Sequence, residues 1–326
     1  MPTIDIQALN AQVRADGAVV QRIRQETAKV IVGQQYMVDR LLIGLLSRGH
    51  ILLEGLPGLA KTLAINTLSQ TINAEFSRIQ FTPDLLPADI VGTMIYNAKL
   101  NDFTVRKGPV FANFVLADEI NRAPAKVQAA LLEAMQERQV TIGEESFRLE
   151  EPFLVLATQN PIDQEGTYRL PEAQLDRFLV RLQIGYPELE DERAILERFR
   201  SDFDQRKGEE VTAVVGPEQI ARFREQVEQV TIHDQLLHYI AGIVHRTRSH
   251  PDIYLGASPR ASLALLRLSK AVAAMAGRDF VTPDDVKRVA LPVLNHRIIL
   301  TPEREMEGYT AETVVEEISE RMEIPR

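Results

Sequence analysis

Residues 55–62 read Gly-Leu-Pro-Gly-Leu-Ala-Lys-Thr and follow the apolar stretch Ile51-Leu52-Leu53-Glu54. The pattern is a strand, a glycine-bearing loop and a helix start, which is what phosphate chemistry needs. Glycines such as Gly55 and Gly58 let the backbone curl so that several N–H groups converge on an anion. The helix N-terminus adds partial positive charge to that cradle. Lys61 can then reach the β- and γ-phosphates, and the Thr62 hydroxyl can ligate Mg²⁺. Ala60 stands where a glycine usually precedes the lysine. Its single methyl group is compatible with a helical first turn, which predicts a variant of the loop. Gly55, Pro57, Gly58, Leu59, Ala60, Lys61, Thr62 and Leu63 form the candidate ATP-binding set.

A second group of chemically able residues lies downstream. Phe114-Val115-Leu116-Ala117-Asp118-Glu119 is an apolar strand ending in two adjacent carboxylates. Beside a phosphate loop, Asp118 can hold Mg²⁺ through its water shell and Glu119 can accept a proton from an attacking water. Strand alternation would turn these neighbours in different directions, which suits two roles. Phe153-Leu154-Val155-Leu156-Ala157 is a further apolar strand, running into Thr158, Gln159 and Asn160. A neutral amide such as Asn160 at a strand tip can orient water against a γ-phosphate; Asn160-Pro161 also reads as a plain turn opener. The six histidines lack partners at ligand spacing, so no metal site of their own is expected.

These residues need a scaffold. Apolar segments at 50–53, about 75–81, 113–117, 153–158 and 178–184 alternate with helical patterns, which predicts a parallel sheet flanked by helices. The phosphate loop then sits at the carboxyl end of the first strand, where such folds bind ligands. Residues 95–107 and 139–149 carry hairpin signals, with Asn101-Asp102 and Gly143-Glu144-Glu145-Ser146 at their centres. Beyond Tyr186-Pro187 only helical patterns appear, over 188–205, 217–230, 233–248, 259–276 and 283–294. Ser258-Pro259 and Thr282-Pro283 are clean helix starts. The expected organisation is an α/β nucleotide-binding core over 1–187 and a smaller all-helical domain over 188–326, with residues 201–212 as a polar loop.

The 326 residues carry a net charge of −9, with 45% hydrophobic and 25% charged residues, the balance of a globular protein with a real core. The acidic balance argues against wholesale binding of nucleic acid or anionic membrane. With no cysteine there is neither a disulfide nor a thiol nucleophile. No run of 18 apolar residues and no signal-peptide pattern is visible, so no membrane span and a cytoplasmic location are expected.

Five segments occur in a fixed order: 55–62, Ala117-Asp118-Glu119-Ile120-Asn121-Arg122-Ala123-Pro124, 130–137, Ala157-Thr158-Gln159-Asn160-Pro161 and 165–178. Together they closely resemble the MoxR family of AAA+ ATPases, over roughly residues 25–320. Ala60 is what that family shows at its position. The resemblance implies an AAA+ fold with a helical lid and a ring, a hexamer as a rule, with ATP bound between subunits. It assigns Asn160 to sensor 1, Arg177 of Leu175-Asp176-Arg177-Phe178 to the arginine finger, and Arg260 to sensor 2. A finger supplied in trans would make hydrolysis depend on assembly. Val32 and Gly33 match the segment that packs on adenine. The two hairpins match inserts that commonly handle substrate or partner.

Plainer alternatives stand beside each assignment: an Asp176–Arg177 surface pair, a solvated Arg260, an interhelix turn at 31–34 and decorative hairpins. Arg122 suits either a contact across a subunit interface or a structural helix start. The resemblance further implies a chaperone-like remodeller whose partners carry von Willebrand factor A domains. A nucleic-acid motor is the rival, supported only by Lys99, Arg106 and Lys107 near the first hairpin.

Overall fold

The computed structural model describes residues 6–55, 58–159, 168, 170–200 and 210–324, with residues 6–16 described through their backbone alone. Pro57, Asn160 and most of the expected loop at 201–212 lie outside the described residues. The chain divides into two compact units. One comprises Arg22–Leu170 and Leu182–Ala221; the other comprises the described residues of Met1–Gln21, Pro171–Arg181 and Arg222–Arg326.

In chain order the elements begin with α1 (Ile6–Ala28), α2 (Gln35–Leu46), β1 (Ile51–Gly55), α3 (Lys61–Thr71), β2 (Phe76–Gln80) and α4 (Pro87–Val91). A first hairpin follows, β3 (Gly92–Asn97) and β4 (Asp102–Lys107), then β5 (Phe114–Asp118) and α5 (Ala125–Glu137). A second hairpin, β6 (Gln139–Ile142) and β7 (Glu145–Arg148), precedes β8 (Leu154–Gln159). Next come α6 (Glu172–Leu175), β9 (Val180–Ile184) and α7 (Leu189–Phe199).

The first unit is built on a five-stranded sheet of order β2-β5-β8-β1-β9. The pairings β2–β5, β5–β8 and β8–β1 are parallel. Ile51 to Leu53 of β1, Phe114 to Ala117 of β5 and Leu154 to Ala157 of β8 are wholly buried. Helices cover both faces of such strands, so they read as unbroken apolar runs instead of alternating ones. Each aliphatic side chain buried this way contributes about 1.5–3 kcal/mol. His50 stitches this core: Val155 N–H donates to its Nδ1 at 3.0 Å, which fixes the tautomer, and Nε2–H donates to the Met135 carbonyl at 3.1 Å. Helix α7 packs on the turn at 28–33. Arg198 donates to the carbonyls of Val30 and Ala28, and the Asp191 carboxylate lies against Gly33 where any Cβ would collide.

The second unit carries α8 (Pro217–Gln229, shared at its start with the first), α9 (Asp234–Ser249), β10 (Ile253–Leu255), α10 (Pro259–Met275) and α11 (Pro283–Leu294). It closes with β11 (Ile299–Leu300), α12 (Pro302–Met306) and α13 (Ala311–Arg321). Ser258 caps α10 by accepting the Arg260 N–H, and Asp285 accepts from Thr282 N–H at the start of α11. Two features were not announced by helical spacing. β10 and β11 pair antiparallel, over runs too short to show a period. Helices α12 and α13 follow Thr301-Pro302 and Thr310, the same hydroxyl start signals that mark α10 and α11.

His296 is wholly buried in this unit, its Nε2 3.1 Å from the Phe178 carbonyl and its Nδ1 3.1 Å from Asn295 Oδ1. Burial first, then the neighbouring Arg297 charge, holds its pKa well below the ordinary histidine value. The unfolded chain therefore binds this proton before the folded one does. Stability is full above the unfolded value of about 6.5 and falls as pH drops below it, by up to about 1.4 kcal/mol per pH unit. Urea unfolding between pH 7.5 and 5.5 should show a shallower loss in His296→Gln than in wild type; equal slopes would refute the effect.

Candidate active site

Four strands of the first unit end in one layer, and each leaves a polar group there: Gly55 of β1, Gln80 of β2, Asp118 of β5, and Thr158 with Gln159 of β8. Register places Gln80 opposite Asp118 and Glu54 opposite Gln159. Together with the loop after β1 they line a cavity of about 470 Å³. Gly55, Gly58, Leu59, Ala60, Lys61, Thr62 and Leu63 form one wall; Arg78, Gln80, Asp118, Glu119, Thr158 and Gln159 form the other. Val32 and Gly33 belong to the same unit but are not among the residues lining this cavity.

The loop differs from expectation at Ala60. It lies outside the helical first turn, as the N-cap of α3 with φ 56° and ψ 21°, a left-handed conformation. Gly58, two residues earlier, also has positive φ, at 85°. These two residues of positive φ turn the chain so that α3 opens at Lys61, beside the cavity, with its first N–H groups lacking intrahelical partners. Left-handed backbone costs a residue with a Cβ about 1–2 kcal/mol, which explains why glycine is usual at position 60 and alanine, the smallest alternative, is tolerated.

Lys61 is half-buried, and its ammonium donates to the Gly55 carbonyl at 2.6 Å. Burial pulls its pKa below the ordinary lysine value, while Asp118, Glu119 and Glu54 pull it back up. Strand alternation does not separate the two carboxylates. β5 stops at Asp118, and Glu119 adopts φ 56° and ψ 49°, so both side chains face one cavity. Thr158, only 2% exposed, joins them: its hydroxyl donates to Asp118 Oδ1 at 2.6 Å and accepts the Glu119 N–H at 2.9 Å. Three further partners lie around them. Arg78 donates to Asp118 Oδ2 at 2.6 Å and to Gln80 Oε1 at 2.9 Å. Gln80 donates to Glu119 Oε2 at 3.1 Å, and Arg122 donates to the same oxygen at 2.9 Å. Arg122 is thus an intrachain partner of Glu119. Arg78, Gln80 and Thr158 were missed from sequence; the polar tips at the ends of the β2 and β8 patterns were the available signal.

The residues present fit a magnesium–nucleotide complex. A hydroxyl and a carboxylate, Thr62 and Asp118, are the hard oxygen donors that Mg²⁺ prefers, and Asp118 already attracts a cation in Arg78. Lys61 and the start of α3 suit phosphate oxygens. Among the described residues no group of three or more His, Asp or Glu is placed to hold a metal by itself.

Arg177 and Arg260 lie in the second unit. The surface pair considered for Asp176 and Arg177 is not formed. Asp176 instead accepts from Arg297 Nε at 2.8 Å and pairs with Arg260 Nη1 at 3.4 Å. Arg177 is exposed, with no hydrogen bond or ion pair from its side chain among the described residues. Burial lowers the pKa of Arg297, and Asp176 opposes that shift. A larger cavity in this unit, about 730 Å³, is lined by residues that include Arg304, Asp252, Glu317 and Arg321. Its charges are largely paired with one another, Arg304 with Asp252 and Arg321 with Glu317, and no phosphate loop borders it.

Known proteins share this architecture. The profile of the ATPase family associated with various cellular activities (AAA) matches residues 50–180, and that of the AAA lid domain matches 245–318. Chaperone MoxR1 of Mycobacterium tuberculosis is 44% identical over 321 residues, covering 96% of this chain and 84% of that protein. The chain belongs to the MoxR family of AAA+ ATPases. YeaC, an uncharacterised Bacillus subtilis protein, is 45% identical over 91% of this chain and 92% of its own. A crystal structure from Cytophaga hutchinsonii, assigned as an ATPase, superposes with a TM-score of 0.89 at 47% identity, covering 98% of both chains. No described helix of this MoxR-family chain is long and apolar enough to cross a membrane.

Two substitutions test the geometry. Ala60→Gly should gain up to about 1–2 kcal/mol in denaturant unfolding, the left-handed cost that alanine's Cβ bears, whereas the β-branched Ala60→Val should lose stability. Thr158→Val keeps the shape but leaves the Glu119 N–H unpaired, and should cost about 1–3 kcal/mol. Thr158→Ser should restore most of it.

Proposed function

We propose that this protein hydrolyses ATP with Mg²⁺ and uses the turnover to remodel partner proteins as a ring-forming chaperone. The observation that carries the proposal is the convergence of Lys61, Thr62, Asp118 and Glu119 on one cavity at the strand ends. Lys61 and the first N–H groups of α3 hold the β- and γ-phosphates. Thr62 and Asp118 hold Mg²⁺, which when bound draws charge from the phosphate oxygens. Arg78 donates to Asp118 Oδ2, so a magnesium water shell at Asp118 would share that carboxylate with Arg78 or displace it. Glu119 takes the proton of the attacking water, Asn160 aligns that water, and the loop with Val32 and Gly33 receives the nucleotide.

Arg177 supplies positive charge to the γ-phosphate of a neighbouring subunit, and Arg260 to bound nucleotide. Both assignments rest on the family. An exposed guanidinium with no hydrogen bond or ion pair among the described residues, as at Arg177, fits a group reserved for another subunit. The ring, a hexamer, and partners carrying von Willebrand factor A domains follow the family resemblance, as does a cytoplasmic location. A relative named as a chaperone supports the remodelling role.

Glu119→Gln tests the chemistry. The amide keeps the size and the hydrogen bonds but removes the base, so the variant should bind ATP with near wild-type affinity and lose turnover by about 100-fold or more. Steady-state hydrolysis beside equilibrium nucleotide binding reads both quantities. Wild-type turnover would remove Glu119 from the mechanism.

A further inference from the structure

The segment that carries Arg177 is anchored more firmly than its exposure suggests. Arg297 follows α11 and is only 3% exposed in its side chain. Its guanidinium is consumed by the segment at 176–179. Nε donates to Asp176 Oδ1 at 2.8 Å, Nη2 donates to the Phe178 carbonyl at 2.7 Å and reaches the Asp176 carbonyl at 3.5 Å, and Nη1 donates to the Leu179 carbonyl at 3.1 Å. A further bond from Nη1 to the Val293 carbonyl, at 2.6 Å, ties the same group to α11. His296 adds a second ring-nitrogen contact to the Phe178 carbonyl. The backbone on both sides of Arg177 is therefore clamped while its side chain makes no hydrogen bond or ion pair among the described residues.

A planar, forked donor set does this and a lysine cannot, because an ammonium is a point charge that cannot span several carbonyls at fixed angles. Burying a guanidinium is costly unless all its donors are used, so these bonds also exclude alternative placements. The same Asp176 carboxylate takes Arg260 through an exposed 3.4 Å contact, and Ser258 Oγ lies 3.4 Å from it. A contact of that kind is weak and exchangeable. The buried Arg297 contact is the fixed one.

We propose that Arg297, through Asp176 and the carbonyls of residues 176–179, is the positioning residue that presents Arg177 to the neighbouring subunit. Asp176 further makes the two arginines assigned to phosphate, Arg177 and Arg260, depend on one anchor. This rests on Arg177 acting in trans, as proposed above.

The test uses mixed rings. Wild-type chains are mixed before assembly with an equal amount of a Glu119→Gln chain carrying a different tag, and co-purification through both tags verifies mixing. All turnover then comes from wild-type sites, some of which face an Arg177 from the inactive chain. Three inactive chains are compared: Glu119→Gln alone, with Arg297→Lys, and with Arg177→Ala. A misplacement of about 1 Å costs about 100-fold at a facing site, so the Arg297→Lys chain should cut turnover by roughly half relative to Glu119→Gln alone. It should match the Arg177→Ala chain, because any change at the inactive chain's own Arg260 adds no turnover. If the Arg177→Ala chain lowers turnover and the Arg297→Lys chain does not, Arg297 has no positioning role, while Arg177 in trans stands. If neither lowers it, Arg177 does not act in trans and both proposals fall. Thermal unfolding checks the Arg297→Lys chain, and Asp176→Asn replaces it if that chain does not fold.

Discussion

Two carboxylates stand next to each other at the end of a buried strand, and the first unit is arranged around making that tolerable. Two carboxylates this close would repel one another if left alone in a half-buried site. Three cations and one hydroxyl offset that repulsion. Lys61 lies half-buried beside them, Arg78 and Arg122 each pair with one carboxylate, and Thr158 links the two through a single oxygen. The left-handed backbone at Glu119 is held by that hydroxyl, which takes an N–H that the strand ladder can no longer use. The resulting cavity sets a half-buried ammonium beside two carboxylates that are each paired with an arginine.

The helical unit solves a similar problem with the signs reversed. Arg297 is a cation buried by its surroundings, and the neighbouring His296 is kept neutral there. Asp176 supplies the charge that makes a buried guanidinium acceptable. In each unit one residue holds others in place, Thr158 in the first and Arg297 in the second.

Much of the α/β fold was legible because it is written locally. The apolar runs at β1, β5 and β8 are continuous, and the loop from Gly55 to Thr62 lies between one such run and a helix start, so strand type, sheet type and loop placement follow from neighbours in sequence. The partners of the carboxylates were not legible. Arg78 and Gln80 reach Asp118 and Glu119 only because β2 lies beside β5, and strand order is not a local property. Arg297 and Asp176 are distant in sequence and meet through packing alone. Backbone sign was hidden too: nothing in Ala60 or Glu119 as residue types announces a left-handed conformation. The pair at β10 and β11 was too short for periodicity to register.

The clustering of Pro171–Arg181 with Arg222–Arg326 has a consequence for modularity. The chain leaves the sheet-bearing unit after Leu170, contributes eleven residues to the helical unit, the last two of them the start of β9, and returns at Leu182 to complete that strand. Neither unit is a continuous stretch of sequence. No single cut yields one of them whole, because a truncation before Arg222 strips the segment around Phe178 of Arg297 and His296 and leaves its carbonyls bare. Recombination that exchanges lids between relatives at one crossover would break the same bonds. The two units are bound to be inherited, and engineered, together.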